Sequence, residues 1–253
     1  MGLYDEILKV NLEIDRATAR EVVNIIRGII PSRARILLLS HTGSRAFGWS
    51  WYNYDYDIHG LIACDRYWDW MHLGKPPFDI NIYEVSHLLD IDLVYRHGEV
   101  IMNLSNPFYL DPEFPFKELM RLVTPDFFSE HMLVSQINFF KTFKQPRAAL
   151  HAYRLAIVPI HFMKKGRMEL NVFKAAKSLK LKLRGLVLCR NLYIARHIGL
   201  NRFSLTGEEY EMVLNELNRL HSMFVEVKKK RSDVKWDEGK YREFRDKVVS
   251  TFY

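Results

Sequence analysis

The sequence predicts an α+β protein: a small mixed β-sheet with flanking helices, followed by an all-α helical bundle. Three observations predict it. Apolar or alternating runs of strand length, bounded by Gly and Pro, lie in the first half of the 253-residue chain. Long stretches with apolar residues at helical spacing fill the second half. The charge divides in the same way: residues 1–140 carry 12 Lys and Arg against 19 Asp and Glu, residues 141–202 carry 15 against one, and residues 203–253 carry ten of each. An acidic first part and a basic middle suggest that one part holds cations or does chemistry while the other holds an anion. The expected domains are residues 1–125 and 126–253, since roughly 100–200 residues make a domain.

Residues 14–30 place Ile14, Ala17, Val22, Ile25, Ile26 and Ile29 on one helical stripe, with Pro31 as the stop. Ile36–Leu39 is a continuous apolar run, as in a strand buried on both faces. Residues 56–63 and 79–85 read as two further strands. Residues 86–93 and 97–104 read as short helices, followed by a loop holding Pro107, Pro112 and Pro115. Beyond residue 124, residues 127–144, 146–165, 170–197, 207–230 and 237–251 carry helical patterns. Thr206 with Glu209 three residues on has the spacing of a capping box.

The composition is 48% apolar and 26% charged, which excludes wholesale disorder. Cys64 and Cys189 form no C-x-x-C pair, which excludes a disulfide framework and a Cys-rich zinc site. Asp5 and Glu6 near the start do not fit a secretory signal. No apolar run reaches the ~18 residues of a membrane span. A cytoplasmic location with no membrane partner is therefore expected. The formal net charge of +7 is compatible with a polyanionic partner.

The stretch Gly43-Ser44-Arg45-Ala46-Phe47-Gly48, followed by Asp55-Tyr56-Asp57, carries the chemistry. It sets a Gly-Ser turn after a buried strand, at the start of an expected helix. Backbone N–H groups there, aided by the helix dipole, suit phosphate oxygens. Gly43 permits close approach, the Ser44 hydroxyl adds a donor, and Arg45 offers either a bidentate phosphate clamp or an internal ion pair. Asp55 and Asp57, two apart at a strand start, direct both carboxylates to one side. Like charges so placed call for a cation, and Mg²⁺ is held by one or two carboxylates plus substrate phosphates.

These residues resemble the signature of the DNA polymerase β-type nucleotidyltransferase superfamily, and most closely the predicted nucleotidyltransferases associated with RNA repair. Asp79-Ile80-Asn81 resembles the later family strand that supplies a third carboxylate, and Asn103–Pro107 resembles a following S-N-P segment. Lys177 and Arg184 resemble the family's K-x6-R on a C-terminal helix. The resemblance covers most of residues 35–190, strongly at 43–57. It implies the nucleotidyltransferase fold and transfer of a nucleoside monophosphate from an NTP such as ATP to an acceptor hydroxyl, with pyrophosphate released. It implies further that Gly43 and Ser44 hold the triphosphate and that Asp55, Asp57 and Asp79 ligate Mg²⁺ or Mn²⁺. Asp92 stands as the competitor of Asp79. Lys177 and Arg184, seven apart and expected on one helix face, would meet phosphate or the acceptor, which is expected to be RNA or tRNA-like. The bulky Ser50-Trp51-Tyr52-Asn53-Tyr54 departs from the family's polar run, and His41 departs from its acid or small residue. The aromatic cluster Trp49, Trp51, Tyr52 and Tyr54 suits base stacking or packing equally. His41, His59 and His151 read as structural histidines. Two other functions fit the same residues: nucleotidylation of a protein or small-molecule hydroxyl, and a non-catalytic nucleotide- or RNA-binding module.

Overall fold

The computed structural model describes residues 2–9, 13–50, 55–64, 70–89, 98–199 and 204–253. It is α+β, and the chain clusters into two compact units. One unit comprises Glu13–Arg45, Asn53–Phe127 and Lys235–Tyr253; the other comprises Met1–Leu12, Ala46–Tyr52 and Phe128–Val234.

The first unit is built on a five-stranded mixed sheet. Its strands are β1 (Arg35–Thr42), β2 (Tyr56–Ala63), β3 (Trp70–Lys75), β4 (Phe78–Glu84) and β5 (Pro107–Leu110), in the order β3-β4-β2-β1-β5. β2 and β4 run parallel; the other neighbours are antiparallel. β1 is buried from Ile36 to Thr42, as its unbroken apolar run predicts. β2 and β4 instead alternate near their starts, and Ile58, Ile62, Phe78, Ile80 and Ile82 form a core with Val22 and Ile26 of the helix Arg16–Arg27. That helix starts at Asp15, whose carboxylate accepts the Thr18 N–H at 2.8 Å. It stops at Gly28, ahead of Pro31.

Two strands escape the sequence pattern. β3 is an edge strand with only Met71 and Leu73 half-buried. β5 lies inside the expected proline loop. Pro107 is tolerated there because it opens the other edge strand, where a missing donor is harmless. The last helix, Glu238–Phe252, belongs to this unit: Lys247 pairs with Glu118 at 2.7 Å, and the Phe252 ring lies under the Arg35 guanidinium.

The second unit is helical: Glu130–Phe143, Pro146–Lys165, Val172–Ser178, Arg184–His197 and Gly207–Lys230. Pro146–Lys165 is its axis, with Ala149, Leu150, Tyr153, Ile157 and Ile160 fully buried. The capping box forms, with Thr206 accepting from the Glu209 N–H and Glu209 accepting from the Thr206 N–H. Residues 170–197 are not one helix. Val172–Ser178 ends at Leu179, Lys180 turns left-handed at φ 57°, and a new helix starts at Arg184. Among the described residues no helix is long and apolar enough to cross a membrane.

Candidate functional site

β1 delivers Thr42 directly into a Gly43–Ala46 turn of helix. One turn carries almost none of a full helix's dipole, so the dipole contribution expected at this spot is absent. What the turn provides is steric. Gly43 has φ +67°, and a Cβ on it would stand 1.7 Å from Asp57 Oδ2. Only glycine lets the Asp57 carboxylate rest against this backbone.

The end of β1 is fixed from the side by residues 103–106. Ser40 Oγ donates to the Leu104 carbonyl at 2.7 Å, and Thr42 Oγ1 to Asn103 Oδ1 at 3.0 Å. The His41 N–H donates to the Asn106 carbonyl, and Asn106 Nδ2 to the His41 carbonyl. The S-N-P segment is thus a clamp on the strand that presents Gly43 and Ser44.

Asp55 is exposed just before β2, and Asp57 lies within it, paired with Thr42 of β1. Across the parallel pairing, Asp57 stands directly beside Asp79 of β4. Period-2 alternation turns both away from the face bearing Ile58 and Ile80. Asp79 Oδ1 meets His72 Nε2 of β3 at 2.6 Å. Sequence reasoning misses His72, although Met71 and Leu73 alternating with His72 and Gly74 is the period-2 signal of a strand. Asp92, the competitor of Asp79, lies outside the described residues.

Arg45 is 5% exposed, and its guanidinium lies over the Tyr56 ring, 4.2 Å from the centroid, with Nη2 donating to the Tyr56 hydroxyl at 3.4 Å. It is stacked rather than extended toward open solvent. Its charge still acts on its neighbours: burial first, then Arg45, lowers the pKa of His41 from 6.5 to about 4. His41 is therefore a neutral, buried ring beside Tyr56.

The other predicted residues belong to the helical unit. Lys177 pairs with Asp5 at 2.9 Å, and that hydrogen bond lowers the Asp5 pKa. Arg184 is the exposed first residue of Arg184–His197. The two residues sit on separate helices, so the expectation that they share one helix face is corrected: a left-handed Lys180 intervenes. Phe47, Gly48 and Trp49 also lie in this unit. The Arg154 guanidinium covers the Phe47 ring, Arg190 Nε donates to the Gly48 carbonyl at 3.0 Å, and Trp49, 2% exposed, meets the edge of His151. Trp49 packs; Trp51, Tyr52 and Tyr54 lie outside the described residues.

Among the described residues no three acidic, histidine or cysteine side chains converge into a ready metal cage. The donor set at Asp57 and Asp79 is a pair of hard carboxylates. That suits Mg²⁺, which completes its shell with water and substrate phosphates. A soft or all-protein site would need a different donor set.

No family model matches the chain, and no curated protein does. Among solved structures, it is similar to a nucleotidyltransferase-like protein from Exiguobacterium sibiricum 255-15, over 92% of this chain and 87% of that one, at 11% identity and a TM-score of 0.29. A superposition that loose leaves function to be argued from the residues themselves.

Proposed function

We propose that the chain transfers a nucleoside monophosphate from an NTP to an acceptor hydroxyl at an RNA end, releasing pyrophosphate. The observation that supports it most is the registered pairing of Asp57 with Asp79, with Gly43 leaving the Asp57 carboxylate room against the turn after β1. Two like charges on adjacent strands repel, and a cation joining them would offset that repulsion.

Asp57 and Asp79 would hold Mg²⁺ or Mn²⁺, and Asp55, which does not converge with them here, would close on the ion as it binds; the bound metal would neutralise charge building on the phosphoryl oxygens. The chain's own residues account for the rest. Gly43 leaves room for the Asp57 carboxylate against the turn, and Ser44 offers a hydroxyl donor to the triphosphate. Arg45 supplies positive charge from behind Tyr56. Asp79 takes the proton of the attacking hydroxyl as its oxygen bonds to the α-phosphorus and the bond to the β-phosphate oxygen breaks. Lys177 and Arg184, both exposed in the helical unit, would meet phosphate; Lys177 would exchange its half-buried Asp5 partner for one.

The test is a screen of α-labelled NTPs with Mg²⁺ or Mn²⁺ and total RNA, comparing wild type with Asp55→Ala/Asp57→Ala. Labelled RNA is expected from the wild type and none from the variant. Equal product from both would sink the mechanism. Label on protein or a small molecule, with RNA untouched, would move the acceptor to that class.

A further inference from the structure

The sheet has two unlike faces in β2, β3 and β4. Ile58, Ile62, Leu73, Met71, Phe78, Ile80 and Ile82 turn to the core under helix Arg16–Arg27. The opposite face follows from the register. Asp57 lies beside Asp79, His59 beside Asn81, and Asn81 in turn beside His72; Tyr83 lies beside Trp70. These side chains are half-buried on the inner strands and exposed on β3. A polar and aromatic row therefore runs from the carboxylates to β3, the edge strand of the sheet.

Trp70 ends that row. It is 56% exposed, and its ring lies parallel to His72, at 7° with centroids 6.2 Å apart. His72 is itself held by Asp79 at 2.6 Å. The indole thus rests on a ring that is anchored to a proposed site carboxylate. Its centroid lies at most about 10 Å from that carboxylate, within the reach of one nucleotide. A single exposed apolar residue needs no explanation. A tryptophan oriented in this way, in line with Asp79, is a ready stacking surface.

We propose that the Trp70–His72 stack is the platform for the terminal base of a single-stranded RNA acceptor. This rests on the nucleotidyl-transfer assignment above. In an in-line displacement the attacking oxygen and the leaving pyrophosphate stand on opposite sides of the α-phosphorus. With the triphosphate at the turn after β1, the sheet order puts β1 and β2 on the leaving-group side and β4 and β3 on the attacking side. The base that reaches Trp70 is therefore the acceptor's, not the NTP's. Aromatic stacking takes any base, so the platform sets a requirement for an unpaired, base-bearing end rather than for a sequence.

The experiment uses the full chain, Trp70→Ala and Trp70→Phe, with a fluorescein-labelled oligoadenylate and the same oligomer ending in an abasic nucleotide. Binding is followed by anisotropy in EDTA without NTP, and turnover is measured separately with Mg²⁺ and ATP. Trp70→Ala should weaken oligomer binding and raise the acceptor KM on the order of tenfold, leaving the NTP KM unchanged, and Trp70→Phe should restore most of it. The abasic end should bind wild type as weakly as the intact oligomer binds Trp70→Ala, with no further loss when the two changes are combined. Equal binding of intact and abasic ends, or a change confined to the NTP KM, overturns the platform. Because binding is read without metal or NTP, its failure is separate from loss of the transfer assignment, which would appear as turnover indifferent to Asp55→Ala/Asp57→Ala.

Discussion

Gly43→Ala isolates the contact between the turn and the carboxylate. Two effects should add. The residue has φ +67°, a conformation that costs an alanine about 1 kcal/mol. The new methyl would also stand 1.7 Å from Asp57 Oδ2 and 2.2 Å from Cγ, so the carboxylate must retreat by roughly 1.5 Å to reach van der Waals contact. A misplacement of that size at a reacting centre lowers turnover on the order of 100-fold. Gly166 supplies the control: its φ is +70°, and a methyl there would meet nothing within 4 Å. Gly166→Ala should carry the strain alone, shifting the chemical-denaturation midpoint modestly and leaving the proposed transfer from an α-labelled NTP unchanged. Gly43→Ala should lose at least as much stability and nearly all transfer. If the two variants behave alike in both assays, the Asp57 carboxylate is not positioned against this turn for function, and the argument fails.

Two further outcomes follow from named contacts. His41 is neutral in the folded protein down to about pH 4, whereas the unfolded chain protonates near 6.5. The unfolded state therefore binds more protons in that window, and stability falls as pH drops through it, by up to about 3 kcal/mol. His41→Gln should flatten the stability profile between pH 6.5 and 4; an unchanged slope would show that His41 is not its source. Thr206→Ala removes one half of the capping box at the start of Gly207–Lys230 and should cost about 1 kcal/mol in thermal or denaturant unfolding, with Thr206→Ser close to wild type.

What is legible in the sequence is what local chemistry decides. The run at Ile36–Leu39 announces a strand because burial on both faces leaves no polar gap. The limits of Pro146–Lys165 follow from a proline at the first helical position and Gly166 at the end. Gly43, Ser44, Asp55 and Asp57 stand out because a turn and a strand start fix their spacing. Edge strands are harder to read, because β3 and β5 bury little and so lack strong patterns. The break at residues 179–183 is hidden because Leu183 stays fully buried, so the apolar rhythm runs on while the backbone does not. His72 on Asp79 and Arg45 over Tyr56 are contacts between strands or across a turn, and no spacing rule reports them.

The core explains why the acids meet at all. Asp57 and Asp79 belong to strands separated by β3 in the chain, yet they become neighbours because β2 and β4 pair in parallel, with Ile58 beside Ile80 and Ile62 and Ile82 in the same core. In a sheet with one apolar face, a slip of one residue in either strand would carry its isoleucines out of the core and its aspartate into it. Burying that carboxylate would cost more than any local rearrangement could recover. The register that packs isoleucines under helix Arg16–Arg27 is therefore the register that sets the carboxylates side by side on the opposite face. The same pairing extends through β4 to β3, which brings His72 to Asp79 and Trp70 to the sheet edge. Hydrophobic packing on one face thus fixes the positions of the polar groups on the other.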